Sequence, residues 1–168
     1  RLRGSPEKEE TSVRKSGGFF SWTFPPDEPN EDDMHRERVT DDIFVFTCER
    51  YIDVNAGVIF TGAGAIVVDT LPFPRETEQL RRFAQQSPGG VRYVINTNYH
   101  GDHTYGTYLF SEAALVSHRL TRAYLEEVGE RNLAQAKRQS AELLDVKVRL
   151  PLILAEGKLS LRIGGRTV

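Results

Sequence analysis

From Asp42 onward, apolar residues fall into short runs of Ile, Val and Phe punctuated by turn-formers, whereas the stretch before it shows no such rhythm. "DIFVFTCE" and "AGVIFTGAGAIVVDT" are rich in β-branched and aromatic residues and predict strands, with "TGAG" turning the chain between Phe60 and Ala65. The period then changes. In "PFPRETEQLRRFAQQS", Leu80 and Phe83 stand among Glu and Arg at helical spacing, with a proline at the start, so a short amphipathic helix is predicted. "PGG" ends it, and "VRYVIN" is the next strand. A polar loop follows, then the short strand "ALVSH" and a helical stretch from about Arg119 to Leu144, breaking near Gly129. "VKVRLPLI" and "KLSLRI" close the chain, and "KLSLRIGGRTV" reads as a strand, a Gly-Gly turn and the start of a returning strand. Strands alternating with helices predict an α/β layered domain over residues 42–168.

Residues 1–41 read as a lead-in. "RLRGSPEKEETSVRKSGG" is charged and aperiodic, which suits disorder. "FFSWTFPPDEPNEDDMHRERVTDD" sets four aromatics beside prolines and an acidic cluster. It reads either as a segment laid across a neighbouring surface by its aromatics or as a partly ordered linker. His35 within it is expected to be solvated.

Composition narrows the function classes. A chain of 168 residues is one domain's worth, and 39% hydrophobic with 27% charged residues is ordinary for a globular protein. A net charge of −2 offers nothing to a nucleic acid or an anionic membrane, and no apolar run is long enough to span a bilayer. A soluble chain acting on a small molecule is expected, cytoplasmic rather than secreted. The single cysteine, Cys48, excludes an intramolecular disulfide; lying in "IFVFTC", it reads as a buried, inert thiol.

The chemistry concentrates in "VINTNYHGDHTYG", residues 94–106. His100, Asp102 and His103 offer imidazole nitrogen and carboxylate oxygen, the donors zinc takes, from a loop just past a strand. Residues two apart in extended or turning backbone project to one side, so His100 and the pair Asp102 and His103 suit two neighbouring metals better than one. Gly101 fits a tight loop whose backbone approaches a ligand. The plainer alternative is an N-capping aspartate flanked by two solvent-facing histidines.

"NTNYHGDHTYG" resembles the His-x-His-x-Asp-His signature of the metallo-β-lactamase superfamily, placed after a strand and before a helix. Upstream, "VNAGVIFTGAGAIVVDT" is similar to that family's opening hairpin, ending at its characteristic aspartate, here Asp69. "ALVSHRLTRAYLEE" is similar to its next strand and helix, so the resemblance spans roughly 42–168. It implies an αββα sandwich of two αβ halves, with one or two zinc ions at the edge where the halves meet. It further implies hydrolysis of an ester, thioester, lactone, lactam or phosphoester by a zinc-activated water. By position, His100 would serve one metal and Asp102 with His103 the other, catalysis depending on Asp102. Asp69 would be a carboxylate behind the ligands at the site floor. His118 matches no ligand position and reads as a helix-start or core histidine.

Two departures qualify the resemblance. Asn98 stands where the family's first histidine stands, and an amide oxygen is a weak zinc donor beside imidazole. Mono-zinc carbapenem-hydrolysing members have a run similar to "INTNYH" but carry arginine where this chain has His103. One zinc ion rather than two, centred on Asp102 and His103, is the expectation. The second departure is that no histidine follows His118, although the family takes further ligands from its second half. The chain therefore resembles the N-terminal αβ half, cut inside a hairpin. An uncovered sheet face is expected, with self-association or a separately supplied C-terminal half to cover it. Two functions follow: a zinc-dependent hydrolase, or a fragment of one, whose substrate is not readable; and a non-catalytic fragment acting as an assembly or binding module.

Overall fold

The computed structural model describes residues 34–51 and 53–168. Four antiparallel strands, β1 (Met34–Arg38), β2 (Ile43–Cys48), β3 (Val54–Thr61) and β4 (Gly64–Val68), form a meander. Helix α1 (Pro74–Ala84) then carries the chain over, and β5 (Val91–Asn96), β6 (Ala114–His118) and β7 (Ile153–Ala155) add on parallel to β4. The seven strands lie in chain order in one sheet. The fold is mixed α/β, as the alternation of periods predicts.

Alternation decides which face is core. In β2, Phe44, Phe46 and Cys48 are buried while Ile43, Val45 and Thr47 are only partly so. Ala56, Val58 and Phe60 repeat the pattern in β3. Helix α1 covers this face with Leu80, Phe83 and Ala84. The Phe83 ring meets Phe44, Phe46 and Phe60 edge-on, with centroids 4.8, 5.4 and 5.3 Å apart. Each such contact adds about 0.5–1.5 kcal/mol beyond burial, so Phe83 is the main fastener of helix to meander. Cys48 is buried and donates to Glu76 Oε1 at 3.4 Å; burial, with the carboxylate beside it, pushes the thiol up to about 11. It is an inert thiol at neutral pH.

The opposite face is also apolar. Register aligns Ile43, Ile59, Ile66 and Tyr93 in one row and Val45, Gly57, Val68 and Ile95 in the next. Only Ile66 of these eight is fully buried by the described residues.

Three features differ from the sequence reading or refine it. Strand β1 lies inside the stretch read as lead-in. Its "MHRER" buries only Met34, so no apolar alternation announces it, and it joins as a charged edge strand with His35 exposed. The disordered segment and the four aromatic anchors read from the first part of the chain fall outside the described residues. Next, "VKVRL" forms no strand: pairing to β6 starts where Leu152 N–H reaches Leu115 O at 3.1 Å, and before that point the Ala113 carbonyl accepts the Arg149 guanidinium at 2.6 Å instead. Finally, the long helical stretch divides into α3 (Arg119–Tyr124), a π-helical turn (Leu125–Gly129) and α4 (Glu130–Gln139), with the interruption at the predicted glycine. The closing hairpin, β8 (Arg162–Ile163) with β9 (Arg166–Thr167), turns on Gly164 and Gly165, both at positive φ as a two-residue turn requires. Among the described residues, no helix is long and apolar enough to cross a membrane.

Candidate metal centre

The parallel strands β4, β5 and β6 deliver their C-terminal ends to one edge, and the loops leaving them carry the motif. Asp69 follows β4. Its N–H donates to Ile95 O at 2.7 Å, extending the ladder by one bond, and its backbone then takes φ 57. That left-handed conformation is tolerated by Asp better than by most residues with a Cβ. The Asp69 carboxylate is buried and accepts twice from Thr97, from N–H at 2.8 Å and from the hydroxyl at 2.6 Å. Its Oδ2 also lies 3.0 Å from His103 Nδ1. An ionised carboxylate only accepts, so the proton of a neutral His103 belongs on Nδ1 and its Nε2 presents a lone pair.

His103 stands on a single helical turn, α2 (Gly101–Thr104), which opens at His100 in extended conformation. The His100 carbonyl accepts His103 N–H at 3.1 Å and the Thr104 hydroxyl at 2.9 Å. Asn98 Oδ1 accepts His100 N–H at 2.8 Å, an Asx turn that sets the entry to α2. The amide oxygen keeps one further lone pair. Gly101 is needed for a different neighbour than expected: a Cβ there would meet the Tyr105 ring at 2.3 Å. Burial, reinforced by the charge of Asp102, raises the Tyr105 phenol above its ordinary pKa.

The donors assemble unevenly. Asp102 Oδ2 and His103 Nε2 are 3.5 Å apart. Two ligands each about 2.0–2.1 Å from zinc at a near-tetrahedral angle would stand about 3.4 Å apart, so this pair has the bite of a zinc site. His100 does not join it. Its ring is exposed and rests 4.6 Å from that of Tyr99, which in turn stacks on Tyr124 at 4.7 Å. Among the described residues, no three His, Cys, Asp or Glu side chains are grouped to hold a metal. The donor set thus fits half of a zinc site. His118 takes the helix-start role, its Nδ1 accepting Leu120 N–H at 3.2 Å to cap α3.

Sequence reasoning passed over Thr70, Asn96 and Thr97, which surround Asp69 and His103 with hydrogen bonds. The available signal was polar residues at the ends of otherwise apolar strands, "VVDT" and "VINT", where a plain core strand would continue apolar.

The chain belongs to the metallo-β-lactamase superfamily, whose family model matches residues 51–165 and whose members typically bind zinc. Among solved structures, it is similar to a metallo-β-lactamase from Pontibacter korlensis, with a TM-score of 0.61 and 17% identity over 80% of this chain and 58% of that one. It is also similar to the DIM-1 metallo-β-lactamase, with a TM-score of 0.52 and 23% identity over 58% of this chain and 47% of that one. The chain therefore spans about half the length of these structures, and the likeness is one of fold. Comparison with curated protein sequences finds no significant match.

Proposed function

We propose that this chain contributes one metal position to a zinc-dependent hydrolase, with Asp102 and His103 as ligands to a single ion. The observation that carries this reading is geometric: Asp69 Oδ2 lies 3.0 Å from His103 Nδ1, and Nε2 on the other side of the ring stands 3.5 Å from Asp102 Oδ2. A carboxylate behind a ligating imidazole fixes its tautomer and raises its basicity. His100, with Asn98 beside it, offers a weaker second position. Zinc held by Asp102 and His103 would supply Lewis acidity and a lowered water pKa for attack on an ester, thioester, lactone or β-lactam carbonyl. Calorimetric titration with zinc, checked by elemental analysis, should show one ion per chain, and Asp102→Ala should abolish it. Binding that survives Asp102→Ala would refute the assignment.

A second reading is supported by the lack of a third donor among the described residues: a non-catalytic module that assembles through its half-covered sheet face, where Ile43, Val45, Ile59 and Tyr93 lie. Sedimentation should then show a dimer or larger species, with no metal-dependent turnover. Chelator-sensitive hydrolysis by a monomeric chain would eliminate this reading.

A further inference from the structure

We propose that Thr70 and Asn96 are positioning residues that determine where His103 presents its Nε2, acting through the His103 main-chain carbonyl. The inference rests on the metal reading of His103. That single oxygen accepts from three donors: Thr70 N–H at 3.1 Å, the Thr70 hydroxyl at 3.0 Å and Asn96 Nδ2 at 2.9 Å. One or two donors satisfy an ordinary carbonyl, and here the three come from the ends of two different strands, β4 and β5. Both side chains are buried, Thr70 fully and Asn96 to within 2%, so water does not compete for the oxygen. The Thr70 hydroxyl is oriented from its other side as well, since it accepts Gly106 N–H at 3.1 Å. Accepting Gly106 N–H on one lone pair, the hydroxyl has its proton free to donate to His103 O.

The consequence is a histidine held at both ends. Asp69 fixes the ring through Nδ1, while Thr70 and Asn96 fix the backbone from which the ring projects. With both anchors set, Nε2 has one place to be. Neither anchor works alone: a ring tethered to Asp69 on a loose backbone still swings, and a fixed backbone leaves the ring free to turn. His100, on the same turn, has no counterpart to the ring anchor among the described residues; its ring rests against Tyr99. Among the described residues, Asn96 Oδ1 has no hydrogen-bond partner of its own. The side chain is thus placed for what its amide N–H donates rather than for what its oxygen accepts.

The test uses two measurements on the chain: zinc affinity by calorimetry, and the His103 ring tautomer of the metal-free protein by nitrogen NMR. Thr70→Val keeps the volume and removes the hydroxyl. It should bind zinc about tenfold or more weakly, the range seen when groups behind metal ligands are removed, and its His103 should pass from one Nδ1–H tautomer to a mixture. Thr70→Ser restores the hydroxyl and should restore both properties. Asn96→Ala, an independent loss of one donor, should move both in the same direction as Thr70→Val and decides the matter if that variant does not fold. A lowered melting temperature with unchanged zinc affinity and tautomer would overturn the proposal, because it would leave Thr70 and Asn96 a purely structural role. Should the parent chain bind no zinc, the metal reading fails by itself. The tautomer comparison then still confirms or refutes the clamp.

Discussion

His100 and His103 stand three residues apart on one turn and differ in almost everything that prepares a side chain to bind a metal. The His103 ring is anchored to Asp69, its carbonyl takes three donors, and its side chain is 23% exposed. The His100 ring is exposed and touches Tyr99, and what holds the residue is its backbone, through Asn98 and Thr104. The donor atoms are chemically the same. What separates them is the company each keeps from distant parts of the chain. The proposed preference for one metal position would thus have two sources: the amide of Asn98 is a weak donor, and His100 beside it is not pre-set.

The sharpest way to break this contrast is to remove a donor from the prepared half. Asp102→Ala should leave no calorimetric zinc isotherm, whereas His100→Ala should leave a measurable one; equal losses would erase the distinction. Removing support rather than a donor should act next in size. Asp69→Asn tolerates the left-handed backbone but gives up the charge facing His103 Nδ1, and zinc affinity should fall about 10–100-fold. Asp69→Ala should lose a comparable amount of affinity and in addition about 1–2 kcal/mol of stability in chemical denaturation, because a Cβ-bearing residue without that polar side chain is strained at positive φ. Adding a donor to the unprepared half should do less. Asn98→His should strengthen zinc binding, by a smaller factor than Asp69→Asn weakens it, since the new imidazole has no carboxylate behind it and the Asx turn at His100 is lost. A second ion bound as tightly as the first would show that donor type outweighs preparation. Smallest of all, His118→Ala should leave zinc binding unchanged and lower stability by about 0.5–1 kcal/mol, the value of a lost N-cap, read from the thermal melt.

Most of the fold was legible because its strands and helix carry their own period. β2, β3 and α1 could be read from Phe44, Phe46, Val58, Phe60, Leu80 and Phe83 before any contact was known. β1 could not, since four of its five residues are charged or His and it is a strand only by virtue of pairing with β2. The absence of a strand over "VKVRL" was equally hidden, because a pattern of alternating Val and Leu does not say whether a partner edge is within reach. At the site, the donor types stood plainly in the motif and Asp69 stood out through resemblance. Thr70, Asn96 and Thr97 did not, because a threonine or asparagine at a strand end looks like any turn residue until the strand beside it is known. Their meaning lies in contacts 7, 28 and 33 residues long.

Those spans also order events in time. The meander from β1 to β4 closes through short turns between consecutive antiparallel strands, so each pairing costs little chain entropy. The bonds joining Asp69 and Thr70 to Thr97, His103 and Gly106 close loops of 28–36 residues and exist only once β5 has docked beside β4. A chain emerging from its N-terminus can therefore complete the meander before His103, a proposed metal donor, has its supports. The turn carrying His103 cannot take up these hydrogen bonds until β5 lies beside β4.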